Sequence, residues 1–141
     1  MKKVVLFGTS AAAEVAHFSF SHDSPYDIAA FTVDGKYLKE ETFCGLPVVP
    51  FEEVQSLYPP AEYDMFVAVY ASRINRTRAE KYQQAKAKGY ELVSYISSKA
   101  ITWPGLIVGE NCLISEGVIC KPFLRIGDNV VVLPGANLGH H

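Results

Sequence analysis

Three short segments carry the residues best suited to holding a phosphorylated ligand. Gly8-Thr9-Ser10 sets a glycine just before a helix start, where free backbone amides and the helix dipole favour an anion. A tight turn with no ligand is the other reading of Gly8. Asp34-Gly35-Lys36 closes a second apolar run, and the Asp34 carboxylate can accept hydrogen bonds from a ribose or a base. An ordinary turn residue before a glycine reads equally well. Tyr70-Ala71-Ser72-Arg73 closes a third run. Arg73 and Arg76 fall in the first turn of the helix that follows, where a guanidinium suits a diphosphate. Lys81, Lys86 and Lys88, further along that helix, read as a solvated surface. His17 and His22 have no partner nearby in sequence and read as structural. Residues 8–13 run Gly-Thr-Ser-Ala-Ala-Ala, which lacks two of the three glycines of a dinucleotide-binding loop and argues against a nicotinamide or flavin dinucleotide.

The chain bounds what can support these segments. Its 141 residues suffice for one ordinary core or two small ones that support each other. Lys and Arg number 13 against 15 Asp and Glu, a net charge of −2 that gives no general attraction to nucleic acid or membrane. The three cysteines, Cys44, Cys112 and Cys120, are odd in number and too widely spaced for a metal or redox motif, so they read as reduced, buried small hydrophobes. No metal site is expected. The first residues, MKKVVLFGTS, are too short an apolar stretch for a signal peptide, and no run approaches membrane-spanning length. A cytoplasmic protein is expected.

The elements that position the three segments alternate. Lys3 to Phe7 reads as a buried strand and Ala11 to about Phe20 as a helix capped by the Ser10 hydroxyl. Asp27 to Val33 reads as a second strand and Gly45 to Val49 as a short extended piece. Pro50 opens a helix over Phe51 to Leu57. Asp64 to Tyr70 is a further strand. Ser72 to Lys88 is a helix with Ile74, Arg78, Tyr82 and Ala85 along one side and Gly89 at its end. Glu91 to Ile96 is the last strand. Such alternation predicts a parallel sheet, with ligands at the carboxyl ends of its strands.

From Thr102 the pattern changes to a period of six. The first position of each hexad holds Thr102, Val108, Ile114, Cys120, Ile126, Val132 and Leu138. The fifth holds Leu106, Cys112, Val118, Leu124, Val130 and Ala136. None of these is charged, whereas Glu110, Glu116, Lys121, Arg125 and Asp128 all fall elsewhere. Neither a helix nor a hairpin sheet repeats every six residues, and a parallel β-helix does. Three hexads make one triangular coil, and equivalent residues stack about 4.8 Å apart. Gly109, Gly127 and Gly139 at the second position predict a crowded bend there. Six hexads give two coils, with an open edge that implies either a longer chain or a covering partner.

This combination resembles the NeuD/PglD-type sugar acyltransferases. It comprises a strand, a Gly-x-Ser turn and a helix, then a parallel α/β unit, then SYISSKAITWPG leading into hexads that end in NLGHH. The resemblance implies a Rossmann-like domain over residues 1–97 and the first coils of a left-handed parallel β-helix over 98–141. It implies acetyl transfer from acetyl-CoA to an amine or hydroxyl of a nucleotide-linked sugar, in bacterial surface-polysaccharide synthesis, by a homotrimer. The family's catalytic histidine falls on His140. His141 falls on a neighbouring position that is acidic in some members. The nucleotide loops fall on Gly8, Thr9 and Ser10, on Asp34, and on Ala71, Ser72 and Arg73. The chain departs from the family's GxxGHG loop at Ala11-Ala12-Ala13, and the family's CoA-binding coils would follow His141.

On that reading a neutral His140 ring takes the proton of the attacking amine or hydroxyl. Backbone amides at a coil corner stabilise the oxyanion. No serine or cysteine sits beside a base, so no acyl-enzyme is implied. The competing reading is a non-catalytic sugar-nucleotide-binding or assembly module. A gene that continues with more hexads favours the enzyme, and a stop after His141 favours the module.

Overall fold

The computed structural model describes residues 3–70 and 76–139. The chain divides into two compact units, Met1–Leu92 and Val93–His141.

The first unit is built on a five-stranded sheet. Its strands are β1 (Lys3–Phe7), β2 (Ile28–Val33), β3 (Thr42–Phe43), β4 (Leu46–Pro50) and β5 (Tyr63–Val67), in the order β3-β4-β2-β1-β5. The pairs β1–β2, β1–β5 and β2–β4 are parallel. The β3–β4 pair is antiparallel, so the sheet is mixed rather than wholly parallel. The reason is a two-residue turn, Cys44-Gly45, with φ of 51° and 75°. Positive φ at both central residues gives a hairpin turn the twist its strands need. Cys44 is therefore exposed at a loop tip, against the expectation of burial. Cys112 and Cys120 are buried as expected, and none of the three cysteines forms a disulfide.

Helices cover both faces of this sheet. Val5, Phe7, Met65 and Val67 point to one face, where they pack with Val54 of α2 (Val54–Leu57) and with Tyr82 and Ala85 of α3 (Arg76–Ala87). Phe66 points the other way and meets Phe20 of α1 (Ala11–Asp23) edge to face at 5.2 Å. This alternation is the period of two that a strand imposes on its side chains. Each such fully buried side chain contributes about 1.5–3 kcal/mol. Pro50 ends β4 and leads into a 3-10 turn, Phe51–Glu53, rather than directly into helix. The strand expected over Glu91 to Ile96 does not form as one element. Leu92 makes a single bridge to Met65, and Tyr95–Ile96 (β6) belongs to the second unit.

The second unit is a coil. Its strands are β6 (Tyr95–Ile96), β7 (Ile107–Val108), β8 (Leu113–Ile114), β9 (Ile119–Cys120), β10 (Arg125–Ile126), β11 (Val131–Val132) and β12 (Asn137–Leu138). The first four, β6 to β9, each pair in parallel with the strand 18 residues further on, in three separate small sheets. Three hexads therefore make one turn. Cys112, Ile114, Val118, Cys120, Ile126 and Val132 form its core, flanked by Ala100, Leu106, Val108, Leu124, Val130, Ala136 and Leu138. These are the first- and fifth-position residues read from the sequence, with two differences. Thr102 is exposed. The coil also starts one hexad earlier, since β6 pairs β8, Ile101 bridges Ile119 and Ala100 joins the core.

The corners follow a rule of their own. The fourth residue of every hexad has positive φ: Gly105, Asn111, Gly117, Phe123, Asn129 and Gly135. Glycine and asparagine tolerate this region best, and they fill five of the six places. Glycine at the second position is required only at Gly109, where a Cβ would lie 2.7 Å from Gly127 C and 2.8 Å from Asp128 N. A Cβ on Gly127 or Gly139 would meet nothing within 4 Å.

Candidate functional site

The carboxyl ends of β1 and β2 lie side by side in the first unit and bring Gly8, Thr9, Ser10 and Asp34 to one edge. Gly8 turns the chain at φ 120°, and a Cβ there would lie 3.1 Å from the Ala68 carbonyl oxygen. Its amide donates to Thr32 O at 2.9 Å, which ties the turn to β2. Ser10 is the N-cap of α1, but its hydroxyl makes no capping bond, contrary to expectation. Its carbonyl accepts from Glu14 N at 3.0 Å, and the hydroxyl is exposed. Thr9 lines a cavity of about 320 Å³ with Val33, Tyr37, Lys39, Glu40 and Phe43.

Asp34 ends β2 and begins a 3-10 turn over Gly35–Tyr37. Its carboxylate is held by the Lys81 ammonium at 2.7 Å, and both side chains are largely buried, 17% and 13% exposed. The reading of Lys81 as solvated surface is thus overturned. Lys81 also donates to Gln84 Oε1 at 3.1 Å, and its ammonium lies 5.4 Å from the Phe7 ring centre and 5.3 Å from that of Phe51. The signal was spacing. Lys81 sits three residues from Arg78 and four from Ala85, at the margin of the buried stripe of α3. Lys86 is exposed, and Lys88 is half-buried over Phe51. The Gly35 amide donates to Glu52 Oε1 at 2.9 Å. The Glu52 amide and then the Gly35 amide hold the Glu52 carboxyl below its ordinary range, with help from Lys81 and Lys88 against the cost of desolvation. Asp34, Lys36, Glu52, Lys81 and Lys88 line a second, open cavity of about 650 Å³ floored by Phe51.

At the end of β5, Arg78 is buried, and the side of α3 that it shares with Tyr82 and Ala85 is the inner one. Its guanidinium donates to Val67 O and, at 3.1 Å, to Val69 O. It lies over the Phe66 and Tyr70 rings at 5.5 and 5.4 Å. Burial pushes the Tyr70 hydroxyl up to about 12, with Arg78 acting the other way. Ala71, Ser72 and Arg73 lie outside the described residues, as do His140 and His141. Among the described residues, no three His, Cys, Asp or Glu side chains group to hold a metal. No helix among them is long and apolar enough to cross a membrane.

No protein-family model matches the chain, and no curated protein matches it in sequence. Its fold is similar to those of solved acetyltransferases. One is a perosamine N-acetyltransferase from Caulobacter crescentus in complex with CoA and GDP-perosamine. That match has a TM-score of 0.84 and 25% identity, covering 98% of this chain and 63% of that one. The same enzyme was solved with a histidine replaced by asparagine or by alanine. Another is the acetyltransferase domain of PglB from Neisseria gonorrhoeae, with TM-score 0.74, 19% identity, 99% of this chain and 66% of that one. The chain thus spans 63% and 66% of the length of these two solved chains.

Proposed function

We propose that this chain belongs to an acetyl-CoA-dependent N-acetyltransferase of the NeuD/PglD type, acting on a nucleotide-linked amino sugar. The observation that carries this reading is the likeness over 98% of the chain to an enzyme whose structure holds CoA and GDP-perosamine. The first unit takes the nucleotide at the edge formed by Gly8, Thr9, Ser10 and Asp34, with Ala71, Ser72 and Arg73 contributing from the third loop. The second unit is a left-handed parallel β-helix that carries the base. His140 accepts the proton of the sugar amine as its nitrogen attacks the thioester carbonyl. The C–N bond forms, the C–S bond breaks, and the proton goes to the departing CoA thiolate. His141 tunes the basicity of its neighbour.

The protein works as a homotrimer on this reading. Exposed apolar side chains on adjoining parts of the coil, Ile101, Trp103, Ile119 and Phe123, support association through the second unit. A thermal-shift screen against GDP-, UDP-, CMP- and dTDP-sugars tests the nucleotide site, since a ligand of the native state raises its melting temperature. A shift with one of them is expected, and none at all would remove the sugar-nucleotide reading. A chain extended past residue 141 is expected to consume acetyl-CoA with a suitable amino sugar, and His140→Ala to abolish this. Binding without turnover in the extended chain would favour the assembly-module reading instead.

A further inference from the structure

We infer that Lys81 is a positioning residue for nucleoside recognition, acting through Asp34; this rests on the sugar-nucleotide reading above. One Asp34 oxygen is fixed by the Lys81 ammonium at 2.7 Å. Among the described residues no hydrogen bond holds the other oxygen, and Asp34 lines the open cavity of about 650 Å³. A carboxylate with one oxygen pinned and one presented is an oriented acceptor for a ribose hydroxyl or a base N–H. The pairing has a second consequence. A bare carboxylate near a diphosphate repels it, and an ammonium at contact distance cancels most of that repulsion. The wall around Asp34 carries Lys36, Lys81 and Lys88 against Asp34 and Glu52, so its balance favours an anionic ligand.

Lys81 is itself held in place. Its stem reaches from α3 across Phe7 and Phe51, whose rings meet edge to face at 5.0 Å, and Gln84 accepts a second ammonium proton. From the other side, Glu52 braces the Gly35 amide directly after Asp34. The carboxylate is therefore oriented before any ligand arrives, and preorganisation of this kind raises affinity without adding a contact.

The experiment is calorimetric titration of GDP, UDP, dTDP and CMP into the unaltered chain, Lys81→Met, Lys81→Gln, Lys81→Arg, Asp34→Asn and the Lys81→Met/Asp34→Asn pair. Melting temperatures without ligand report folding separately. The inference predicts that Lys81→Met and Lys81→Gln each weaken the preferred nucleotide about tenfold or more. Lys81→Arg restores most of the affinity, and the double variant binds no worse than Asp34→Asn alone. Unchanged affinity in folded Lys81→Met or Lys81→Gln overturns the inference, as does additive loss in the double variant. If the unaltered chain binds none of the nucleotides, the sugar-nucleotide reading itself fails and takes the inference with it, a result distinct from binding that ignores Lys81.

Discussion

Asn111 and Asn129 occupy equivalent corners of successive coils, and the Asn111 side-chain amide donates to the Asn129 side-chain oxygen at 2.7 Å. Both residues have positive φ, 55° and 62°, and Asn111 is fully buried. Asparagine meets two demands at once here. Its backbone tolerates the left-handed region, and its amide spans the gap between coils. Asn111→Gly keeps the first property and loses the second. Asn111→Ala loses both. Urea unfolding, followed by fluorescence of the sole tryptophan, Trp103, in the same unit, is expected to show a loss of about 1 kcal/mol for glycine and about 2–3 kcal/mol for alanine. Equal losses would mean that backbone conformation plays no part.

Gly109 marks a different constraint, imposed by space rather than by φ. A Cβ at this position would run into the backbone of Gly127 and Asp128 and into the Asp128 carboxylate, which accepts the Glu110 amide at 2.9 Å. Backbone cannot swing aside as a side chain can. Gly109→Ala is expected to destabilise the second unit by about 1–3 kcal/mol, whereas Gly127→Ala, with open space around it, costs less than about 1 kcal/mol. The pair is best measured in one urea series, and a cost at Gly127 matching that at Gly109 would refute the steric account.

These two positions show what the sequence discloses and what it conceals. The hexad period is local and redundant, so the inward residues from Leu106 to Leu138 were legible from aliphatic recurrence alone. The corner rule is written in the glycines and asparagines of the fourth position, but Phe123 breaks it and glycine recurs at the second position as well. The start of the coil was hidden because β6 finds its partner 18 residues later, beyond any local pattern. The β3–β4 hairpin was hidden because its turn uses Cys44, a residue without a turn preference. The Lys81–Asp34 pair joins residues 47 apart in sequence, and a lysine on a charged helix gives no sign of which carboxylate it will meet.

His17 predicts an acid sensitivity whose direction follows from its surroundings. Burial, and then the charge of His22, lowers the pKa of its imidazole below the ordinary 6.5. The unfolded ring therefore takes up a proton at higher pH than the folded one. Between the depressed folded value and 6.5 the unfolded chain binds more protons, so stability falls as pH falls. The contribution is fully present above 6.5 and is lost as pH drops through the folded value. Melting temperatures taken between about pH 7 and about pH 5 are expected to decline more steeply for the unaltered chain than for His17→Gln. Parallel declines would place the acid sensitivity elsewhere.

Phe123 is the one fourth-position residue that is neither glycine nor asparagine, at φ 67° and 75% exposed. A bulky side chain in that region strains the backbone by about 1–2 kcal/mol, and a residue kept there against the hexad rule needs a compensating use. On the trimer reading its ring, with Ile101, Trp103 and Ile119, is covered by a neighbouring subunit. Phe123→Asn therefore has two effects of opposite sign. It relieves the corner, so at concentrations low enough to keep the chain monomeric its stability rises by about 0.5–1 kcal/mol. It also removes apolar area from the contact, so light scattering across a concentration series shows weaker association. A variant that is less stable as a monomer would contradict the strain argument, and one that associates as well as the unaltered chain would remove Phe123 from the subunit contact.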